Sequence, residues 1–185
     1  MHAFIPVAAG LALACLASCT TDSTADNQAA GQAKTKESSR PVTAATSATP
    51  GNQLKGFHIN IEQATRSNPS FRQVLYTGPH LQAVLMSLKP GEEIGSEVHE
   101  THDQFFRIEG GTGKCVINSR SFAVSAGDAV VAPAGSTHNV INTSTDKPLR
   151  LYTLYAPPQH RDGITRATKQ EATQNEAPFD GKTTE

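Results

Sequence analysis

The sequence predicts an all-β fold, a barrel or sandwich of about ten short strands. Three observations carry that prediction. Apolar residues recur in runs of strand length, several of them alternating with polar residues. The gaps between the runs hold turn formers: the pair Gly78-Pro79, then Gly110, Gly111, Gly113, Gly127, Pro133 and Gly135. The sequence also lacks the signatures of α/β enzymes, having no G-x-G-x-x-G, no phosphate loop and no G-x-S-x-G nucleophile turn.

In chain order the expected strands are 57–61, 71–76, 81–88, 94–99, 104–108, 114–117, 121–124, 129–132, 138–142 and 149–155. The one helical turn expected in the domain covers 61–66. With 185 residues, one domain is the default, and the globular part is read as 53–160. Sixteen Lys and Arg against 17 Asp and Glu give a net charge of −1, so no basic footprint points to nucleic acid. Three cysteines, Cys15, Cys19 and Cys115, are too scattered for a disulfide framework. Cys115, between Lys114 and Val116 in an expected strand, is read as a small buried residue.

Residues 3–16 are nearly all apolar or small, a run too short to span a bilayer as a mature helix. Residues 1–18 read as a secretory signal, although only His2 precedes the apolar run where a Lys or Arg is usual. Leu16-Ala17-Ser18-Cys19 resembles the lipobox of bacterial lipoproteins, with a weaker match ending at Cys15. That resemblance implies lipidation of Cys19 as the first mature residue. Thr20 in place of Asp then implies the outer membrane and a periplasmic domain. Each buried acyl methylene would contribute roughly 0.8 kcal/mol to such an anchor. Residues 19–52 are rich in Thr, Ser, Ala and Gln and read as a disordered linker. Residues 161–185 form a polar tail whose one aromatic is Phe179, and no packed element is expected there.

Two stretches hold the chemistry. In the first, Glu97 and His99 stand two residues apart, so on a strand they project to the same face. Asp103 and Gln104 follow. Alternation favours Gln104 as the inward group, because Phe106 and Ile108 then also point in and Arg107 and Glu109 point out. Asp103 is the second choice, and a bulge near His102 would select it. The second stretch supplies His138. Glu97, His99 and His138 make two imidazoles and one carboxylate, a set suited to a divalent transition ion, with the Gln104 amide oxygen as a fourth ligand. Mn, Fe, Ni and Zn all fit such a set.

The spacing of the second stretch, Gly127, Pro133, Gly135, His138 and Asn142, matches G-x5-P-x-G-x2-H-x3-N in full. Here the chain resembles the cupin superfamily, over about residues 57–158. The first motif, G-x5-H-x-H-x3-4-E-x6-G, is matched from Gly91 in spacing but not in every residue. Glu97 stands where the family usually has its first His, and His99 is the second. Asp103, counting to Gly110, or Gln104, counting to Gly111, replaces the usual Glu. The resemblance implies a double-stranded β-helix, or jelly-roll, barrel with a metal among these residues, and a homodimer formed through sheets or edge strands.

Outside the motifs, His58, His80 and His160 are read as surface residues, and His102 as solvent-facing in a turn. Phe105, Phe106, Tyr152 and Tyr155 are read as core. Arg107, if it turned inward, would be an anchor for an anionic substrate. The expected partner is a small molecule in the barrel. Cupins like this one are often described as mannose-6-phosphate isomerase-like, which implies metal-assisted sugar isomerisation. A non-haem Fe(II) dioxygenase and a non-catalytic small-molecule or carbohydrate binding module at the cell envelope are the alternatives. Fold alone does not choose between them.

Overall fold

The computed structural model describes residues 54–185. The signal segment 1–18, Cys19 and the linker to residue 52 lie outside the described residues. Among the described residues, no helix is long and apolar enough to cross a membrane.

The first element is a helix, α1 (Ile61–Ser67). Asn60 caps it, the side-chain Oδ1 accepting from the Gln63 backbone N–H at 3.0 Å. The strand expected over 57–61 does not form. Those residues are mostly exposed, and Phe57 instead stacks on Tyr76 with ring centroids 5.3 Å apart. The alternation there is real, but a strand needs a partner edge, and the cap at Asn60 commits the chain to a helix instead.

Ten strands follow, with a second helix after them: β1 (Arg72–Thr77), β2 (Gln82–Leu88), β3 (Glu97–Val98), β4 (Asp103–Gly110), β5 (Thr112–Ile117), β6 (Arg120–Ser125), β7 (Ala129–Ala132), β8 (Thr137–Asn142), β9 (Leu149–Ala156), β10 (Thr165–Arg166) and α2 (Lys169–Gln174). They form a six-stranded sheet in the order β10-β1-β2-β9-β4-β7 and a four-stranded sheet in the order β3-β8-β5-β6. Every pairing is antiparallel. This is a double-stranded β-helix, the all-β jelly-roll barrel that the motifs imply.

Strand alternation fills the space between the sheets. On β9, Leu149, Leu151, Thr153 and Tyr155 are buried while the residues between them are not. Opposite them, β2 contributes Val84, Met86 and Leu88, and β4 contributes Phe106 and Ile108; Cys115, Val124 and Val140 complete the core from the second sheet. Burial of Cys115 raises its thiol pKa to about 11, so it is a packing residue and not an activated thiol.

Two motif residues set the frame. Gly111 has φ +85°, and a Cβ there would lie 2.5 Å from the Pro148 carbonyl oxygen. Glycine is therefore required at 111 and not at 110, where a Cβ would meet only the Arg150 side chain, at 3.6 Å. Asn142 is buried, and its Nδ2 donates to the carbonyls of Leu88, Lys89 and Lys147 at 2.8–3.0 Å. It ties the β2–β3 loop to the β8–β9 loop.

The tail is more ordered than its composition suggests. It adds β10 to the edge of β1 and places α2 with Ala172 and Ala177 buried. Residue 178 bridges to His160, and the Thr184 N–H donates to the Thr77 carbonyl at 2.8 Å. Backbone hydrogen bonds and small side chains hold it. The expectation of no packed element rested on missing large apolar residues, which this kind of packing does not need.

Candidate metal centre

The pairing of β3 with β8 builds the centre. Glu97 and His138 are direct cross-strand partners, so their side chains project from neighbouring positions. His99 follows two residues after Glu97. The Glu97 Oε1 lies 3.4 Å from Nε2 of His99 and 3.4 Å from Nε2 of His138. One ligand atom from each of the three residues falls within 4.8 Å of the others. The imidazole rings of His99 and His138 are 5.3 Å apart, and Phe106 and Tyr155 wall them in.

The fourth candidate comes from the facing sheet. Gln104 is fully buried, while Asp103 is exposed and its Oδ1 accepts from the Ala134 N–H at 2.9 Å. The structure turns Gln104 inward and Asp103 away from the centre. The Gln104 amide nitrogen donates to Thr153 Oγ1 at 3.0 Å, while its Oε1 is buried without a hydrogen-bond partner. His99 Nε2 and His138 Nε2 are likewise buried and have no partner that meets hydrogen-bond geometry.

Buried polar atoms without partners are costly. Here three atoms that each carry a free lone pair, when the imidazoles are suitably tautomeric, sit in the barrel with a carboxylate beside two of them. The His138 Nδ1 is within 3.2 Å of the Ser136 carbonyl, which it can donate to, leaving Nε2 as the acceptor. Burial pushes the Glu97 carboxyl up, but the His138 and His99 rings, each 3.4 Å from it, outweigh that and hold the pKa at about 2. Glu97 is therefore a carboxylate at neutral pH. Nitrogen and carboxylate donors of this kind fit a divalent transition ion.

Other sequence candidates fall elsewhere. Arg107 alternates with the buried Gln104, Phe106 and Ile108, and its Nε lies 3.4 Å from Glu109 Oε1. It sits on the far face of β4 and is not an anchor in the barrel. His58 and His80 are exposed. His102 is half-buried, with its two ring nitrogens near Thr101 Oγ1 at 3.0 Å and the Pro158 carbonyl at 3.2 Å. His160 corrects the surface reading: it is buried, and its ring meets Tyr155 edge-on at 5.2 Å. Tyr155, expected in the core, is there and lies beside the centre, while Arg72 was not singled out in the sequence. Tyr155 is buried against His99, its rings edge-on at 5.6 Å, and Arg72 points into the barrel. Burial, and then the charge of Glu97, hold the Tyr155 phenol well above its usual range, so it stays protonated.

Residues 84–155 match the family described as a cupin domain. The chain is 47% identical over 124 residues to the uncharacterised protein YrkC of Bacillus subtilis strain 168, a match covering 64% of this chain and 66% of that protein, just under two thirds of its length. It is 41% identical over 115 residues to the uncharacterised protein L612 of Acanthamoeba polyphaga mimivirus, covering 60% of this chain and 72% of that one. Among solved structures, BH2720 from Bacillus halodurans is similar at 42% identity with a TM-score of 0.63, covering 64% of this chain and 94% of that one.

Proposed function

The chain belongs to the cupin superfamily, and on that premise we propose that it holds a divalent metal ion on Glu97, His99, His138 and Gln104 and acts on a small molecule bound beside it. The observation that carries the reading is the convergence of two partnerless imidazole nitrogens with the Glu97 carboxylate, their ligand atoms all within 4.8 Å of one another. A bound ion would supply Lewis-acid polarisation of a carbonyl or hydroxyl oxygen. The chain's own residues supply the rest. Thr153 accepts from the Gln104 amide, and Ser136 orients His138. The protonated Tyr155 phenol, buried next to His99, is a hydrogen-bond donor to a ligand oxygen.

Sugar isomerisation of the mannose-6-phosphate isomerase-like type is the reaction class we favour. The two-histidine, one-carboxylate set favours a second reading, a non-haem Fe(II) dioxygenase. The test is metal analysis of the purified protein, with Glu97→Ala and His138→Ala beside the wild type. We expect one divalent ion in the wild type, and in each variant a loss of affinity beyond the roughly 10- to 100-fold that outer partners of a metal ligand cost. Equal metal content in all three proteins would refute the assignment. Chelator-sensitive turnover of a sugar panel supports the isomerase, and oxygen consumption with iron supports the dioxygenase. Ligand binding that survives metal removal would make the barrel a non-catalytic binding module instead. We further propose a homodimer, anchored in the cell envelope through lipidated Cys19.

A further inference from the structure

Arg72 lies at the start of β1 opposite Met86, and Val74 lies opposite Val84. Met86 and Val84 both belong to the core, and Met86 in turn faces Leu151 of β9. The register therefore turns Arg72 to the inner face of the six-stranded sheet, the face that carries Gln104 and Tyr155. Its guanidinium lies 5.9 Å from the Phe71 ring, yet its Nε is buried with no hydrogen-bond partner. Among the described residues, no carboxylate lies within ion-pair distance of it. Arg72 is half-buried, and a guanidinium nitrogen sealed from solvent with no partner is costly to maintain.

His160 is the second partnerless group. It is 8% exposed, and its Nε2 is buried without a hydrogen bond. A chain of ring contacts leads from it to the metal centre: His160 to Tyr155 at 5.2 Å, Tyr155 to His99 at 5.6 Å, and His99 to His138 at 5.3 Å. Arg72, Gln104 and Tyr155 lie on the inner face of one sheet and His160 packs on Tyr155, so the two partnerless groups and the metal centre face one interior. Burial keeps His160 neutral, so it can offer an N–H without adding a charge.

We propose that Arg72 and His160 form an anion subsite inside the barrel, which takes the carboxylate of a small organic acid whose neighbouring oxygen faces Glu97, His99 and His138. A planar carboxylate matches the guanidinium fork, and the His160 N–H supplies a further donor. The inference rests on the reading of the barrel as a small-molecule site, and it names the substrate class. It also replaces Arg107, which the sequence offered as the anchor, with an arginine that faces inward.

Calorimetric titration of the full chain, loaded with Mn, tests the subsite. The probes are pyruvate, which pairs a carboxylate with a carbonyl, and its uncharged analogue pyruvamide. The wild type should prefer pyruvate. Arg72→Gln should weaken pyruvate binding by roughly 10- to 100-fold and leave pyruvamide binding unchanged. Arg72→Lys, which keeps the charge and the packing stem, should lose less, and His160→Phe should lose part of the preference. Mn content and far-ultraviolet circular dichroism identify variants that keep the fold; should Arg72→Gln fail to fold, Arg72→Lys and His160→Phe carry the test. Equal binding of the two probes by the wild type, neither binding at millimolar concentration included, overturns the proposal. So does pyruvate affinity unaffected in every folded variant. Pyruvate binding that depends on Arg72 in a protein that takes up no metal would keep this subsite and remove the metal assignment. Metal uptake with pyruvate binding indifferent to Arg72 would do the reverse.

Discussion

His160 titrates far from the range of a surface histidine. Burial first, and then the charge of Arg72, lower its pKa from 6.5 to about 3, with Glu97 opposing. The unfolded chain binds a proton at this residue below pH 6.5, and the folded chain binds it only below about 3. The unfolded state thus holds more protons between those values, and stability falls as pH drops through that window. Glu97 adds a loss in the same direction at lower pH, because its folded pKa of about 2 lies under the ordinary 4.5. Thermal unfolding of the metal-free protein should therefore show a falling midpoint from about pH 6.5 downward. His160→Phe should remove the fall between pH 6.5 and 4.5 and lessen it from 4.5 to about 3, leaving the contribution of Glu97. Parallel curves for the two proteins would contradict this account. The sequence could not reveal His160, because its burial comes from long-range backbone pairing: the Arg161 N–H donates to the Ala177 carbonyl and the Phe179 N–H to that of Gln159. Glu97, His99 and His138 were legible because strand parity and motif spacing are local.

Among the elements, the turn between β4 and β5 makes the most specific demand. Gly111→Ala must hold a side chain at φ +85° and push its Cβ against the Pro148 carbonyl, so it should destabilise the protein by about 2–4 kcal/mol. Gly110→Ala should cost under about 1 kcal/mol, since the added methyl meets only side-chain atoms. Chemical denaturation midpoints of the two variants decide it, and equal losses would count against the geometry. The same glycine supports Gln104 as the inward residue, because Gly111 closes the motif at the spacing that starts from Gln104. Most strands were visible in the alternation of their residues. Residues 57–61 misled because alternation says nothing about whether an edge is free to pair. β10 was missed because two residues carry no readable period.

For the whole molecule, the sheet edges matter most. β7 and β3 are edge strands, and Val131 and Val98 on them are 56% and 43% exposed. We expect a homodimer that covers such an edge, and light scattering should read twice the monomer mass at micromolar concentration. A monomer at that concentration would refute it. Cys19 sets the expectation for the cell: Cys19→Ser should move the protein from the membrane fraction to the soluble periplasm or block its processing. Wild type found wholly in the soluble fraction would refute the anchor. Neither expectation was readable from strand pattern, since assembly and processing depend on surfaces and machinery outside one chain's periodicity.

The strand that carries Glu97 is only two residues long, and it borders the four-stranded sheet. Single hydrogen bonds tie its flanks to neighbouring segments: Ile94 donates to the Val140 carbonyl at 3.0 Å, Gly95 to Asn139 Oδ1 at 3.2 Å, and the Gly135 N–H to the His99 carbonyl at 2.9 Å. An ion gripped by Glu97 and His99 on one side and by His138 on the other would rivet this short border strand to its neighbour. Loading the metal and closing the seam would then be one equilibrium, linked by mass action. Amide hydrogens over 93–99 should exchange with solvent faster after chelation, while those between β2 and β9 keep their pace. The centre would thus serve the protein as a mechanical fastener as well as a chemical one.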